Sequence, residues 1–384
     1  MAEPLSVDAL MAQARNESGL EDFGDPWFLE PLNRLVASLN AEGDLSEMGG
    51  FIQSGNISKY LGERLRKIQL FKDHPEIADE VVTVRAEIVG LPRTGSTMLH
   101  RLLACSEELT STFSWELLNP LPFPGESGDG PSPRIEAAEQ MTQIYLATMP
   151  EIAAIHPIDP VGYEEDVLLL DRSFISTGYA TMLKVPSYDA FLLDFDQTPA
   201  YRELKDWLKI LQWQAPARRG KDWLLKSPHH LTALPALFAV FPEVKVVMTH
   251  RTPVQTVPSY ASMAAALTRP NTDALVPEAI GPFWVRRFRR SLGEVVALRE
   301  QYPDRFIDAR YEDVQRDPVG EAKRVYAALG LRFGAPEEAA MRDWLEQNAR
   351  DRHPAHHYSA AEFGLTAEAL ETDFAFYIDA FLKN

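Results

Sequence analysis

Apolar positions recur at helical spacing from Val7 to Ala14, Phe28 to Leu39 and Ile57 to His74, so residues 1–80 read as a helical N-terminal extension. The pattern then changes. Val81 to Val89 is a β-branched run that reads as a buried strand, and Thr97 to Leu103 returns to the helical period. Asp222 to Lys226, Val244 to Thr249 and Phe306 to Tyr311 are further short apolar runs of strand character. Each is followed by a helix start: Ser227-Pro228, Thr252-Pro253-Val254-Gln255 with capping-box spacing, and Asp317-Pro318. Phe283 to Tyr302 predicts a long amphipathic helix whose Arg286, Arg287, Arg289 and Arg290 form a solvated face. Strands alternating with helices predict an α/β chain, a central parallel sheet flanked by helices with right-handed crossovers.

The second predicted unit, residues 81–384, carries an insertion at 120–214. Pro120 to Pro133 is rich in proline and glycine and reads as a surface loop or flap. Helical patterns follow to Gln214, clearest at Tyr201, Leu204, Leu208 and Leu211. Phe174, Tyr179, Met182, Tyr188 and Phe191 make the middle of the insertion aromatic; core packing is the favoured role for most of them. An insertion between two active-site segments is also where a second substrate would lie.

At 384 residues, 45% hydrophobic and 24% charged, the chain is long enough for a sizeable core. A net charge of -18 argues against nucleic acid or an anionic membrane as partner, and it makes a few placed cations informative. The single cysteine, Cys105, reads as a packed small hydrophobe; one cysteine allows no intrachain disulfide and fits a reducing, cytoplasmic setting. The first residues lack the basic and apolar regions of a signal peptide, and no run approaches a membrane span. His353, His356 and His357 read as polar loop residues, because no cysteine or convincing carboxylate completes a ligand set, and no metal is expected.

The chemistry concentrates at Gly90-Leu91-Pro92-Arg93-Thr94-Gly95-Ser96-Thr97-Met98. A strand, a glycine-flanked turn and a helix start aim consecutive backbone N–H groups and a positive helix end at an anion. Gly90 and Gly95 have the spacing of a nucleotide loop, and Thr97 holds its final hydroxyl position. Ser96 stands where the loop lysine of a triphosphate enzyme is expected, and Arg93 is the nearest cation. Lys226 lies at the end of a strand, beside another helix start, where open parallel sheets bind ligands.

Gly-Leu-Pro-Arg-Thr-Gly-Ser-Thr, followed by Leu-x-x-Leu-Leu and a Trp-Glu pair, resembles the 5′-phosphosulfate loop of sulfotransferases that use 3′-phosphoadenosine 5′-phosphosulfate (PAPS). The likeness runs from about Val84 to Leu331 and is greatest to the bacterial and tyrosylprotein branches. It implies a P-loop-like three-layer fold and sulfuryl transfer to a small-molecule alcohol or phenol, with PAP as product and no metal. The aromatic insertion hints at an apolar or lipid-like alcohol. Arg93, Thr94, Gly95, Ser96, Thr97 and Met98 would hold the 5′-phosphosulfate. Arg251 and Ser259, eight residues apart, match the residues that bind the 3′-phosphate. Tyr311 matches an adenine-side aromatic, with core packing as its alternative role. Lys226 and Arg93 would stabilise charge in transfer. For the base, the resemblance points to Glu116, 23 residues past Arg93, since Pro228 replaces the histidine used by the cytosolic branch. His229 and His230 are the runners-up, His230 more as an orienting or capping residue. The N-terminal helices would pack beside the nucleotide domain or form a homodimer. Two other readings compete: a P-loop kinase or NTPase, disfavoured by Ser96, and a non-catalytic nucleotide-binding module, disfavoured by Glu116 and Lys226.

Overall fold

The structure, a computed structural model, describes residues 2–126, 132–156, 158–348 and 358–383. Its centre is β1 (Val84–Gly90), which pairs in parallel with β3 (Asp222–Lys226) on one side and β4 (Lys245–His250) on the other. The two-residue β2 (Leu109–Thr110) and β5 (Phe306–Arg310) close the edges, in the order β2-β3-β1-β4-β5. Side chains alternate across this sheet as strand geometry requires. Ala86, Ile88, Leu224 and Val247 face one way, against Leu99, Leu102 and Leu103 of helix α4 (Ser96–Leu103, here numbered after the three N-terminal helices below) and Val325, Tyr326 and Leu329 of the helix Pro318–Leu329. Val89, Trp223, Leu225, Val246 and Met248 face the other way. The expected α/β architecture, a parallel sheet flanked by helices with an added helical extension and insertion, is what the chain forms.

Several elements differ from the sequence reading in extent. Val81 is 80% exposed and the strand begins at Val84. The edge strand β2 is too short to leave a pattern. Of the N-terminal helices α1 (Val7–Ser18), α2 (Leu29–Glu42) and α3 (Glu47–Asp73), the last starts ten residues before Ile57, behind the Ser46 cap, whose Oγ accepts from Gly49 N–H at 3.0 Å. Gly49 and Gly50 mask that start; a Cβ at Gly49 would sit 2.0 Å from the Asn271 carbonyl oxygen. Thr252 caps nothing with its side chain, and Gln255 accepts instead from Arg251 Nε at 3.0 Å, so the capping box is not formed. The arginine face is not wholly solvated: Arg287 is buried in an ion pair with Asp189, while Arg289 and Arg290 reach Asp373 and Asp194 at the surface. Phe174, Tyr179 and Tyr188 are core residues, with Met182 and Phe191 packed on them. Residues 127–131 of the proline-rich stretch, and His353, His356 and His357, lie outside the described residues.

The extension shares its core with everything else. Leu32, Leu35, Ile57, Leu61 and Leu65 belong to one apolar cluster with Tyr201, Leu204 and Leu208 of the helix Thr198–Gln214 and with Trp223 and Leu225 of β3. A buried charge cluster crosses the same seam. Glu203 accepts from Arg64 (2.6 and 2.8 Å), Lys67 (3.3 Å) and the Trp27 indole N–H (3.1 Å), and both cations are only 2% exposed. Burial alone would raise the pKa of Glu203; Lys67 and Arg64 outweigh it and hold the carboxyl below its ordinary range.

Glu203→Leu strands two buried cations. It is expected to lower unfolding free energy by about 3–5 kcal/mol, read from urea denaturation at pH 7. A carboxyl held low stabilises the fold above its unfolded pKa and loses that contribution as pH falls. The deficit should therefore shrink below about pH 4.

Candidate active site

Gly90 ends β1 where the sheet is closest. A Cβ there would stand 2.3 Å from Thr249 Oγ1 and 2.6 Å from its carbonyl oxygen. Thr249 Oγ1 in turn donates to Val89 O at 3.3 Å and meets Thr94 Oγ1 at 2.6 Å, and Thr94 also reaches Leu91 O at 2.8 Å. The Thr94 side chain is thus spent on holding the turn, leaving its backbone N–H for an anion. Arg93 has φ +70, an unfavourable region for a residue with a Cβ, and Gly95 has φ +81 as the residue before α4. A Cβ at Gly95 would press on the Tyr311 ring at 3.0 Å. Ser96 is buried, and Met98 packs against the α4 side of the sheet.

Register then delivers the cations. Ile88 lies opposite Lys226, and β4 ends at His250 with Arg251 next. Lys226 Nζ is 3.3 Å from Thr97 Oγ1, on one flank of the loop. On the other flank Arg251 donates to Arg93 O at 2.9 Å and stacks 4.0 Å above the Tyr311 ring. Arg93 Nε donates to Ser259 Oγ at 3.2 Å, and its Nη1 to Ile155 O at 2.8 Å. Arg93 to Thr97, Lys226, Arg251, Ser259 and Tyr311 are therefore brought together around one loop.

The candidate bases are each held by buried partners of their own. Glu116 is 3% exposed. Arg218 grips both its oxygens, at 2.7 and 2.9 Å, and Phe113 N–H donates to it at 3.0 Å. His229 Nδ1 accepts from Thr177 N–H at 3.2 Å, so Nε2 carries the proton toward Gln197 Oε1 at 3.1 Å. Burial and the neighbouring His230 hold its pKa well below the usual range. His230 is 0% exposed, between the Tyr201 hydroxyl at Nδ1 and Asp166 (3.1 Å) and Glu87 (3.3 Å) at Nε2. Its orienting role in the sequence reading fits these contacts better than proton exchange with a substrate.

Four residues that the sequence reading passed over stand here. Lys226, 0% exposed at its side chain, meets Glu165 at 2.7 Å and Glu164 at 3.7 Å. Burial opposes ionisation of Glu164, but Lys226 and His156 outweigh it and hold the carboxyl far below its ordinary range. Beneath them Glu87 accepts from Ser227 N–H at 3.1 Å. Burial, and then the charge of Asp166, push the Glu87 carboxyl well above its ordinary range. The Glu87, Asp166 and His230 ligand atoms lie within 4.8 Å of one another, and all three side chains are fully buried. A glutamate inside the β-branched run of β1, and three acids in a row at Glu164-Glu165-Asp166, were the available signals.

A family model described as "Sulfotransferase family" matches residues 87–335. The chain is 30% identical over 256 residues to the omega-hydroxy-beta-dihydromenaquinone-9 sulfotransferase Stf3 of Mycobacterium bovis and to that of Mycobacterium tuberculosis, covering 64% of this chain and 62% of each relative. Among solved structures, sulfotransferase STF1 from Mycobacterium tuberculosis is 30% identical, with TM-score 0.85 over 98% of this chain and 100% of its own. Sulfotransferase STF9 from Mycobacterium avium is 26% identical, with TM-score 0.88 over 99% and 97%.

The close approach at Gly90 has a measurable sign. Gly90→Ala should cost about 1–3 kcal/mol in urea denaturation because the strands must part. Gly62→Ala on α3, where a Cβ meets nothing within 4 Å, should instead gain about 0.5–1 kcal/mol.

Proposed function

The chain belongs to the sulfotransferase family, and from that premise we propose that it moves a sulfuryl group from PAPS to the hydroxyl of a small acceptor. The observation that carries the reading is the pairing of Lys226 with Thr97 on one flank of the loop and Arg251 with Tyr311 on the other. A buried lysine fixed in the sheet suits a leaving group that gains charge at one bridging oxygen. The planar guanidinium of Arg251, bonded to Arg93 O, and the Ser259 hydroxyl, held by Arg93 Nε, flank the same loop and suit a terminal phosphate. The loop's backbone N–H groups and the start of α4 fit the 5′-phosphosulfate. Tyr311, under Arg251, fits the adenine side. Arg93 lies between these parts and would meet the donor after releasing Ser259.

The acceptor side is assigned to residues 120–214. Met149, Ile152 and Ile155 form an apolar cluster with Ala266, and Arg93 bonds the Ile155 carbonyl at its edge. Met141, Ile144, Tyr145 and Val161 add exposed apolar surface on the same segment. An apolar alcohol suits this lining, and the mycobacterial relatives are named for an acceptor of that kind. Among the described residues no helix is long and apolar enough to cross a membrane.

PAP is expected to raise the melting temperature without added metal, and Arg251→Ala should remove most of that shift; a full shift in the variant would place the 3′-phosphate elsewhere. Lys226→Ala should lower kcat by about 100- to 1,000-fold while PAP affinity changes far less. Equal losses in both would make Lys226 a plain donor ligand.

A further inference from the structure

We infer that Glu165 is the general base: its carboxylate, parked on Lys226 in the free enzyme, takes the proton of the acceptor hydroxyl. The inference rests on the sulfuryl-transfer reading above and replaces Glu116 in that role. A base must reach the attacking oxygen, hold a lone pair free for the proton, and stand close to the group that steadies the leaving oxygen. Lys226 marks that place, and Glu165 contacts it directly at 2.7 Å. Among the described residues its other side-chain contact is the Ser227 hydroxyl at 3.4 Å, and the side chain is 24% exposed, the most open of the carboxylates around Lys226. Both contacts belong to the turn that carries the lysine, so Glu165 can turn away without breaking a structural bond elsewhere.

The other acids are committed. Glu116 cannot take a proton without leaving the buried Arg218 uncompensated. Glu164 donates its N–H to Thr112 O and accepts at its carbonyl from Thr112 Oγ1, and its carboxylate is braced by His156 at 3.4 Å and by the N–H of Glu165 at 2.9 Å. Glu87 and Asp166 are fully buried around His230. Two carboxylates on one ammonium also leave this corner negative before an anionic donor arrives. When the phosphosulfate takes up Lys226, the mobile carboxylate is the one displaced, toward the side from which the acceptor enters.

The step balances. The acceptor O–H proton passes to a Glu165 oxygen as the hydroxyl's electron pair forms the new O–S bond. The bond from sulfur to the bridging oxygen breaks, and its pair stays on the 5′-phosphate of PAP, where Lys226 faces the charge. Glu165 then returns the proton to water.

The test compares the parent with Glu165→Gln and Glu116→Gln, using PAPS with octanol or with 4-nitrophenol at a pH where the phenol is ionised. Glu165→Gln should keep the PAP-induced melting shift and lose about two to four orders of magnitude in kcat with octanol. With 4-nitrophenolate, which has no proton to lose, the defect should fall below tenfold. Glu116→Gln should lower the melting temperature yet keep kcat per folded molecule within a few-fold. Parent-like octanol turnover in Glu165→Gln would overturn the assignment. So would equal defects with both acceptors, which would make Glu165 only a brace for Lys226. A parent that shows the PAP shift but sulfates neither acceptor nor any other hydroxyl probe would overturn the function reading itself, and the base with it.

Discussion

The site depends on how closely β1 and β4 approach at Gly90 and Thr249. With no side chain at Gly90, the Thr249 hydroxyl can sit against the end of β1 and hold both Val89 O and Thr94. That contact fixes where the strand stops and where the loop turns. Since β3 is registered on the same strand, it also fixes Lys226 relative to the loop, and Arg251 follows from the end of β4. A rigid sheet places the two flanking cations more accurately than the loop itself could, as preorganised electrostatic catalysis requires.

Charge is then arranged in depth. An ammonium at 0% exposure in a protein of net charge -18 is tolerable because Glu164 and Glu165 face it at close range. Below, Glu87, whose carboxyl burial pushes well above its ordinary range, accepts the Ser227 N–H and fixes the turn after Lys226. His230 spans Glu87, Asp166 and Tyr201 and ties this layer to the insertion helix Thr198–Gln214. Glu165 is the most exposed of these acids, above a set of more deeply buried ones.

Much of this was legible in the chain. The strand-turn-helix at the loop, the strand ends at Lys226 and Arg251, and the spacing to Ser259 are local patterns, and local patterns survive folding. The base we infer was not legible. Glu116 has the right sequence distance from the loop, but distance along a chain says nothing of Arg218, which arrives from 102 residues away. Glu164 and Glu165 reach Lys226 across 62 and 61 residues, through an insertion whose helices pack by tertiary contact rather than by strong periodicity. Arg287 shows the same limit: helical spacing predicts a face, while the partner that buries it, Asp189, lies on another element.

The recognisable family pattern starts only at β1, near residue 87, and an outline drawn from it would treat the preceding helices as an appendage. The shared core and the seam at Glu203 contradict that outline. A chain begun at residue 81 would leave the apolar faces of Tyr201, Leu204 and Trp223 in water and Glu203 without its cations. Such a fragment is an aggregation hazard rather than a minimal enzyme. Here the heritable unit of sequence and the cooperative unit of folding have different borders, and only the second can be cut without losing the protein.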